Sequence, residues 1–147
     1  MKNVTFGLLC VSLVGAILSG CGGGSSSSTP PATRSAPLGQ AFTIQVGQQA
    51  QIDGEDLTVS LRGVPEDSRC PEDVECVWEG DARVQVELVK SLQSAAVVEL
   101  NTSPRVGPDV AEYRNYTVKL TAIAPNTKSN RDIKPGDYVV TLLVSKK

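Results

Sequence analysis

Short runs in which apolar and polar residues alternate constrain the fold of this chain most, because a period of two places every second side chain on one face of a β-strand. The clearest run is 82–88, where apolar residues stand at every second position. No segment keeps the 3.6-residue period of a helix over more than a few residues. The candidate strands are 42–46, 50–52, 57–61, 82–88, 97–100, 115–123 and 138–144.

Turn-forming residues separate these runs, as they do in antiparallel sheets. The pattern predicts an all-β fold: a single antiparallel β-sandwich of the immunoglobulin-like kind, or an open barrel. The chain has one Trp and two Phe, so we expect a core made mainly of Val, Ile, Leu and Ala. In the run 115–123, the side chains expected on the buried face are Tyr116, Val118, Leu120 and Ala122.

The first residues of the chain have the order of an export signal. A basic start at Lys2 leads into an apolar stretch over 4–17, and the stretch ends in Leu-Ser-Gly-Cys at 18–21. The stretch is too short to span a bilayer, which needs about 20 apolar residues. A basic start, an apolar middle and a small-residue end together predict a signal peptide over 1–20 that is cleaved on export.

The tetrapeptide that ends in Cys21 resembles the lipobox of bacterial lipoproteins. In that family the cysteine thiol receives a diacylglycerol, the signal is cut before it, and the new amino terminus is acylated. The resemblance implies that Cys21 is the first residue of a mature protein held in the bacterial cell envelope by its lipid. In a Gram-negative source, Gly22 in place of Asp favours the outer membrane, facing the periplasm. The alternative is an ordinary secretory signal with an incidental cysteine.

Gly, Ser and Pro dominate the segment after the cysteine. Such a composition cannot bury a core, so we expect 21–39 to be a flexible, disordered tether. Gly/Ser chains have a typical reach of about 5–6 Å multiplied by the square root of their length. The remaining residues, 40–147, have the length of one domain and form the expected β-sandwich.

Charge is distributed unevenly along the expected domain. From Asp53 to Asp81 there are ten acidic residues and two basic ones, whereas from Ala82 onward there are ten basic residues and six acidic ones. Nucleic acid is not an expected partner, because it requires a concentrated basic surface. A cationic protein or another envelope component is a candidate partner for the acidic segment. The sequence does not decide the oligomeric state.

Two cysteines, Cys70 and Cys76, lie within the expected domain. In an exported protein they face an oxidising compartment, so a disulfide is the default expectation. It would close the short acidic loop 71–75 and fix its shape. A zinc or redox pair is the alternative, which the lack of any histidine, of a third domain cysteine and of C-x-x-C spacing disfavours.

The segment around these cysteines contains D-S-R-C-P at 67–71 and C-x-W-x-G-x-A at 76–82. These motifs are similar to those of a group of small, secreted, mostly uncharacterised bacterial proteins. The resemblance implies an exported β domain and no particular reaction. We expect Arg69 to form local ion pairs. We expect Trp78 to cover the disulfide and part of the core, the alternative being an exposed recognition aromatic.

The acidic residues of this segment are the best functional candidates. Asp67, Asp73 and Asp81 are weak candidates for calcium ligands, because carboxylates suit calcium but the ordered spacing of an EF-hand is missing. A solvated acidic face is the simpler interpretation, and no metal or other cofactor is expected. The candidate interaction loop consists of Glu72, Asp73, Glu75 and Trp78.

Catalysis is not expected. Without histidine, Ser-His-Asp and Cys-His arrangements and histidine-ligated zinc sites are excluded. No G-x-S-x-G or S-x-x-K motif is present. The expected function is a lipid-anchored, extracytoplasmic binding module. The alternatives are a proteinase inhibitor that presents the disulfide-braced 70–76 loop, and a structural envelope lipoprotein.

Overall fold

The computed structural model describes residues 33–91 and 93–147. The expected signal peptide, Cys21 and the tether up to residue 32 lie outside the described residues. The strands are β1 (Thr33–Ala36), β2 (Ala41–Gln45), β3 (Gln49–Ile52), β4 (Leu57–Asp67), β5 (Ala82–Lys90), β6 (Ala96–Asn101), β7 (Val110–Tyr113), β8 (Tyr116–Ala124) and β9 (Val139–Lys146). A single 3₁₀ turn, Pro135–Asp137, precedes β9 within the described part of the chain.

The strands form two sheets that pack face to face, so the expected all-β sandwich is confirmed. One sheet has the order β1-β3-β4-β5-β6 and the other has the order β2-β9-β8-β7. Apolar side chains at alternate positions of each strand fill the space between the sheets, as the period of two predicts. The largest fully buried ones are Tyr116, Ile44, Ile52, Leu57, Leu61, Leu88, Leu100 and Leu142.

The folded domain begins before residue 40, where the tether was expected to end. Residues 33–36 form β1, which pairs in parallel with β3 from Thr33–Gln49 to Ala36–Ile52. Ala36 is buried in the core, and its carbonyl accepts a hydrogen bond of 2.9 Å from the Asp53 amide. The predicted boundary was wrong because residues 33–36 have no alternating pattern from which a strand could be predicted. Backbone pairing with β3 determines this strand instead.

A β-bulge in β8 changes which of its side chains face the core. The pairing with β9 shifts register between Leu120 and Ala122, so Thr121 is the extra residue. Tyr116, Val118 and Leu120 are buried as expected, but Ala122 is exposed and Ile123 packs against the core instead. The expectation for Ala122 was therefore wrong by the one-residue slip that a bulge introduces.

The two ends of the sandwich differ in their connections. At one end, here called the loop end, β4 and β5 are joined by the long segment 68–81, and the connections 102–109 and 125–138 lie beside it. At the opposite end, the turn end, short connections join β3 to β4 and β7 to β8. No helix among the described residues is long and apolar enough to cross a membrane.

Candidate interaction surface

The expected disulfide is present at the loop end. Cys70 and Cys76 are bonded, with their Cα atoms 6.0 Å apart. The bridge closes residues 71–75 into a short ring, which restricts the conformations open to them. We call the segment 70–79, which contains this ring, the interaction loop.

An ion pair fastens the base of the interaction loop to the sandwich. The Arg69 guanidinium donates to both carboxylate oxygens of Asp67, at 2.8 and 2.7 Å, in the bidentate geometry that Arg favours. The Tyr138 hydroxyl donates to the same carboxylate at 3.0 Å. The side chains of Arg69 and Asp67 are only 14% and 7% exposed. The expectation that Arg69 forms a local ion pair is confirmed.

Arg69 also reaches across to the other sheet. Its guanidinium donates to the carbonyl of Pro125 at 2.9 Å and, more weakly, to that of Ile123 at 3.4 Å. These carbonyls belong to the end of β8 and the residue beyond it. One side chain therefore joins the interaction loop to both sheets.

Burial and hydrogen bonding act on the pKa of Asp67 in opposite directions. Burial alone raises the pKa of this carboxyl, but the hydrogen bonds and charge of Arg69 outweigh it, so the pKa is below its ordinary value. Burial and the neighbouring Asp67 carboxylate raise the pKa of Tyr138 to about 12. Asp67 is therefore ionised and Tyr138 protonated at neutral pH, which is the combination that their hydrogen bond needs.

A buried carboxylate closes the far end of the same segment. Asp81 accepts hydrogen bonds from the Asn101 amide at 2.6 Å, the Ser103 backbone N–H at 2.8 Å and the Thr102 hydroxyl at 3.1 Å. Burial alone would raise the pKa of Asp81, but these hydrogen bonds lower it by a larger amount. The resulting pKa is below its ordinary value. The preceding Gly80 has φ +72°, and a Cβ there would collide with the backbone carbonyl of Ser68.

The β8–β9 connection supports the outer part of the interaction loop. The Thr127 carbonyl accepts a hydrogen bond of 3.0 Å from the Glu72 amide, and Asn126 donates to the Glu72 carboxylate. The Ser129 backbone N–H donates to Asp73 at 2.8 Å, and its hydroxyl donates to the same carboxylate. The Ser129 hydrogen bonds lower the pKa of Asp73.

The calcium candidates Asp67, Asp73 and Asp81 do not form a common site. Each accepts hydrogen bonds from different donors of the chain itself, as described above. Within residues 33–91 and 93–147, no three acidic, histidine or cysteine side chains are grouped closely enough to hold a metal ion. These aspartates hold the loop in place instead, a role that spacing along the sequence does not reveal.

Trp78 is exposed, so the expectation that it covers part of the core was wrong. Its exposed fraction is 59%, the neighbouring Val77 is fully exposed, and Val74 is about half exposed. The Cys70 amide donates to the Glu79 carbonyl at 2.9 Å, so backbone contacts join the two arms of the loop. Polar contacts therefore complete the base of the loop. The apolar side chains of Val74, Val77 and Trp78, here called the apolar tip, face solvent.

Acidic side chains flank these apolar residues along the loop and form what we call its acidic rim. Glu72, Asp73, Glu75 and Glu79 are all exposed. Glu79 accepts a hydrogen bond of 2.9 Å from the Ser103 hydroxyl, which ties it to the β6–β7 connection. With Glu72 and Asp73 also held by hydrogen bonds, much of the acidic rim has a fixed position on the loop that exposes Trp78.

The chain matches no protein-family model, no curated protein and no solved structure. The chemistry of the site must therefore follow from its own side chains. The interaction loop exposes one indole ring, two valines and four carboxylates on a cross-linked frame. An aromatic with a polar rim is typical of surfaces that bind other proteins.

Proposed function

We propose that this protein is a lipid-anchored interaction module of the bacterial cell envelope, and that it binds a cationic partner protein through the interaction loop. The observation that carries the proposal is the exposure of Val77 and Trp78 on a segment that a disulfide and the Arg69 contacts hold in place. The lipobox at Cys21 supports the anchor, and the export signal supports the compartment.

A braced loop binds better than a flexible one because less conformational entropy is lost on association. Trp is enriched among residues that dominate binding energy, and truncation of such a residue costs about 2 kcal/mol or more. Trp78 is the natural anchor of the proposed interface, since it is the one Trp in the chain and its side chain is exposed.

The acidic rim supports a cationic partner. Complementary charge raises the association rate and the specificity of binding, and its effect falls as salt screens exposed charges beyond about 8–10 Å. Glu75 is the position at which to test this effect, because Glu72, Asp73 and Glu79 also hold the loop through hydrogen bonds.

Site-specific photo-crosslinking in intact cells tests the proposal. A photoreactive amino acid at position 77 should cross-link one discrete partner. The same amino acid at position 97, where Val97 is also half exposed but lies on β6, should not cross-link that partner. Equal cross-linking from both positions, or none from position 77, would contradict an interface at the interaction loop.

The captured partner then allows the charge prediction to be tested. Glu75→Lys should weaken binding and reduce its salt dependence, since it reverses a charge on the rim. The matched control is Glu112→Lys, which makes the same change on β7 near the turn end, where Glu112 pairs with Lys147. Equal effects of the two variants would mean that only the overall charge of the protein matters.

The anchor has its own test. Cys21→Ser should abolish metabolic labelling with fatty acid and move the protein from the membrane fraction to the soluble fraction, because two or more acyl chains give stable membrane attachment. If the unlabelled variant stays with the membrane, something other than the lipid holds it there.

A proteinase inhibitor is the second candidate, favoured by the full exposure of Val77 next to the disulfide. An inhibitor of this kind presents a preorganised side chain to the protease. It should block a serine or cysteine protease stoichiometrically, and Val77→Asp should abolish inhibition while Val97→Asp leaves it intact. The absence of inhibition across a protease panel would leave the binding module as the better candidate.

A further inference from the structure

The outermost strands of the two sheets differ in how well they are protected from pairing with other chains. Edge strands expose unpaired backbone groups, and natural proteins guard them with charged residues, proline or bulges. Of the four strands that end the sheets in the described part of the chain, three carry a charge: Arg34 in β1, Glu99 in β6 and Glu112 in β7. The fourth, β2, has the sequence Ala-Phe-Thr-Ile-Gln, with neither a charge nor a proline.

The ladder between β2 and β9 shows which backbone groups of β2 face outward. The Val46 amide donates to the Tyr138 carbonyl at 3.1 Å, in continuation of this ladder. Hydrogen-bonded positions alternate in an antiparallel pair. The backbone N–H and C=O groups of residues 42 and 44 therefore point towards β9, and those of residues 41, 43 and 45 point to the open side. Ala41, Thr43 and Gln45 therefore carry the outward N–H and C=O groups.

The end of this open edge is closed by the next turn. The Gln45 amide donates to the Gln48 side-chain oxygen at 3.2 Å, and the Gln45 carbonyl accepts from the Gln48 amide at 2.9 Å. Ala41 and Thr43 remain as the two outward positions, and both residues are exposed. They are separated by Phe42, which is half-buried and packs against the core.

A second open segment, at the end of β8, shows what a guarded edge looks like. Beyond β7, residues 120–124 pair with β9 alone. There the Leu120 amide is bonded to the Asp109 carbonyl at 2.8 Å, and Arg69 covers the Ile123 carbonyl. A cavity of about 370 Å³ opens beside β2, lined by residues of β1, β2 and β3, Arg34 among them, and by Thr141.

We propose that β2 pairs antiparallel with β2 of a second copy of this chain, with Phe42 on the two-fold axis. In this register Ala41 of each copy lies opposite Thr43 of the other, and each such pair exchanges both backbone hydrogen bonds. The two Phe42 side chains face each other in the non-hydrogen-bonded position, where side chains approach closest and aromatic pairs are favourable. The two four-stranded sheets become one continuous sheet.

A second copy fits this edge better than an unrelated strand, because the edge is complementary to itself. A two-fold interface requires the same patch on both partners, and two outward residues spaced evenly about a central one satisfy this condition. The chain carries a net charge of −2, which opposes self-association elsewhere on its surface, but β2 contributes nothing to that repulsion.

Sedimentation velocity of the mature chain, which begins at position 21 and carries Cys21→Ser, tests the proposal, since this form has neither the apolar signal nor the lipid to drive association. The chain should show a concentration-dependent monomer–dimer equilibrium. Thr43→Lys places two like charges near the axis and should weaken dimerisation by about tenfold or more. Thr117→Lys is the matched control, because it makes the same change on the outer face of the same sheet but on β8, and it should leave the dimer unchanged.

Cross-linking tests the register and does not depend on the lysine variants folding well. Across a non-hydrogen-bonded pair the Cα atoms are about 4.5 Å apart, within the range of a disulfide. Phe42→Cys should therefore form a disulfide-linked dimer under mild oxidation, and Thr43→Cys should do so less efficiently. A chain that stays monomeric at all concentrations, a dimer equally weakened by Thr117→Lys, or capture of a different protein's strand by monomeric chains would each overturn the proposal.

Discussion

The two ends of the sandwich use the same chemical combination for different purposes. At the loop end, Asp67 accepts hydrogen bonds from the Tyr138 hydroxyl and from Arg69. Both partners of this ion pair are nearly buried, and Arg69 continues to the Pro125 carbonyl. The combination fixes a long loop whose tip exposes Trp78.

At the turn end, Glu55 takes the place of the aspartate. It accepts a hydrogen bond of 2.5 Å from the Tyr116 hydroxyl and pairs with Lys146. Lys90 donates to the same hydroxyl at 3.0 Å and lies over the Tyr116 ring. The Lys146 side chain is 49% exposed, so water competes with Glu55 for its ammonium group. The guanidinium of Arg69 is nearly buried, and water competes for it much less.

The comparison indicates that the buried ion pair, the Asp81 hydrogen bonds and the disulfide all lie at the end where apolar side chains are exposed. A short turn needs little support, whereas the fourteen residues from 68 to 81 would lose a defined shape without their buried ion pair, Asp81 cap and disulfide. A loop held this firmly, with an indole ring at its tip, is consistent with a preformed binding surface.

The largest effect is expected from Gly80→Ala, compared with Gly54→Ala at the turn end. Both glycines have φ +72°, and alanine in this conformation costs about 1–2 kcal/mol. A Cβ at Gly54 meets open space, whereas at Gly80 it displaces the Ser68 backbone, which adds about 2 kcal/mol. Chemical denaturation should show a loss of about 3–4 kcal/mol for Gly80→Ala and clearly less for Gly54→Ala. Equal losses would mean that the base of the loop is not tightly packed.

A somewhat smaller effect is expected from Asp67→Asn, because it leaves the Arg69 charge buried without its partner. We expect the free energy of unfolding to fall by about 2–3 kcal/mol, since removing one member of a buried pair is strongly destabilising. Glu55→Gln should have a smaller effect, because Lys146 can be solvated. If Glu55→Gln proved the more harmful change, the contrast between the ends would be wrong.

The sequence predicts the sandwich far better than it predicts this contrast. Alternation along 82–88 and 138–144 identifies central strands because each must bury one face. The short strand β1 has only one apolar residue, Ala36, and its pairing depends on a distant strand, so no local pattern reveals it. The exposure of Trp78 depends on contacts with the connections 102–109 and 125–138, which no spacing within the C-x-W motif encodes.

Acidification should reduce the stability that the carboxylates at both ends contribute. We expect a smaller loss of stability than from the substitutions above. Burial alone would raise the pKa of Asp67, but Arg69 holds it below 3.8. Lys146 and Tyr116 hold the pKa of Glu55 below 4.5. Each carboxylate therefore contributes stability that is fully present above its unfolded value and is lost as pH falls through the lower folded pKa. Measured from pH 7 to pH 2, stability should fall below about pH 4. Asp67→Asn should flatten this profile more than Glu55→Gln does.

The smallest effect on stability is expected from Trp78→Ala, and it separates the loop's frame from its tip. The indole ring is mostly exposed, and exposed substitutions away from buried features usually change stability by less than about 0.5 kcal/mol. Binding of the cross-linked partner should nevertheless weaken about 30-fold or more, because an interface anchor is worth about 2 kcal/mol or more.

Trp78→Tyr provides the control, since it keeps an aromatic ring at the tip and should retain part of the affinity. Solvent quenching supports the same distinction: Trp78 is the one Trp in the chain, so its fluorescence in the unmodified protein reports on the tip alone. Acrylamide, an uncharged quencher that the acidic rim does not repel, should quench it readily in the free protein and poorly once the partner is bound. A large stability loss in Trp78→Ala, or an indole that is already shielded in the free protein, would mean that the ring supports the fold. In that case the apolar tip would not be a preformed binding surface, and the two ends of the sandwich would differ only in the length of their connections.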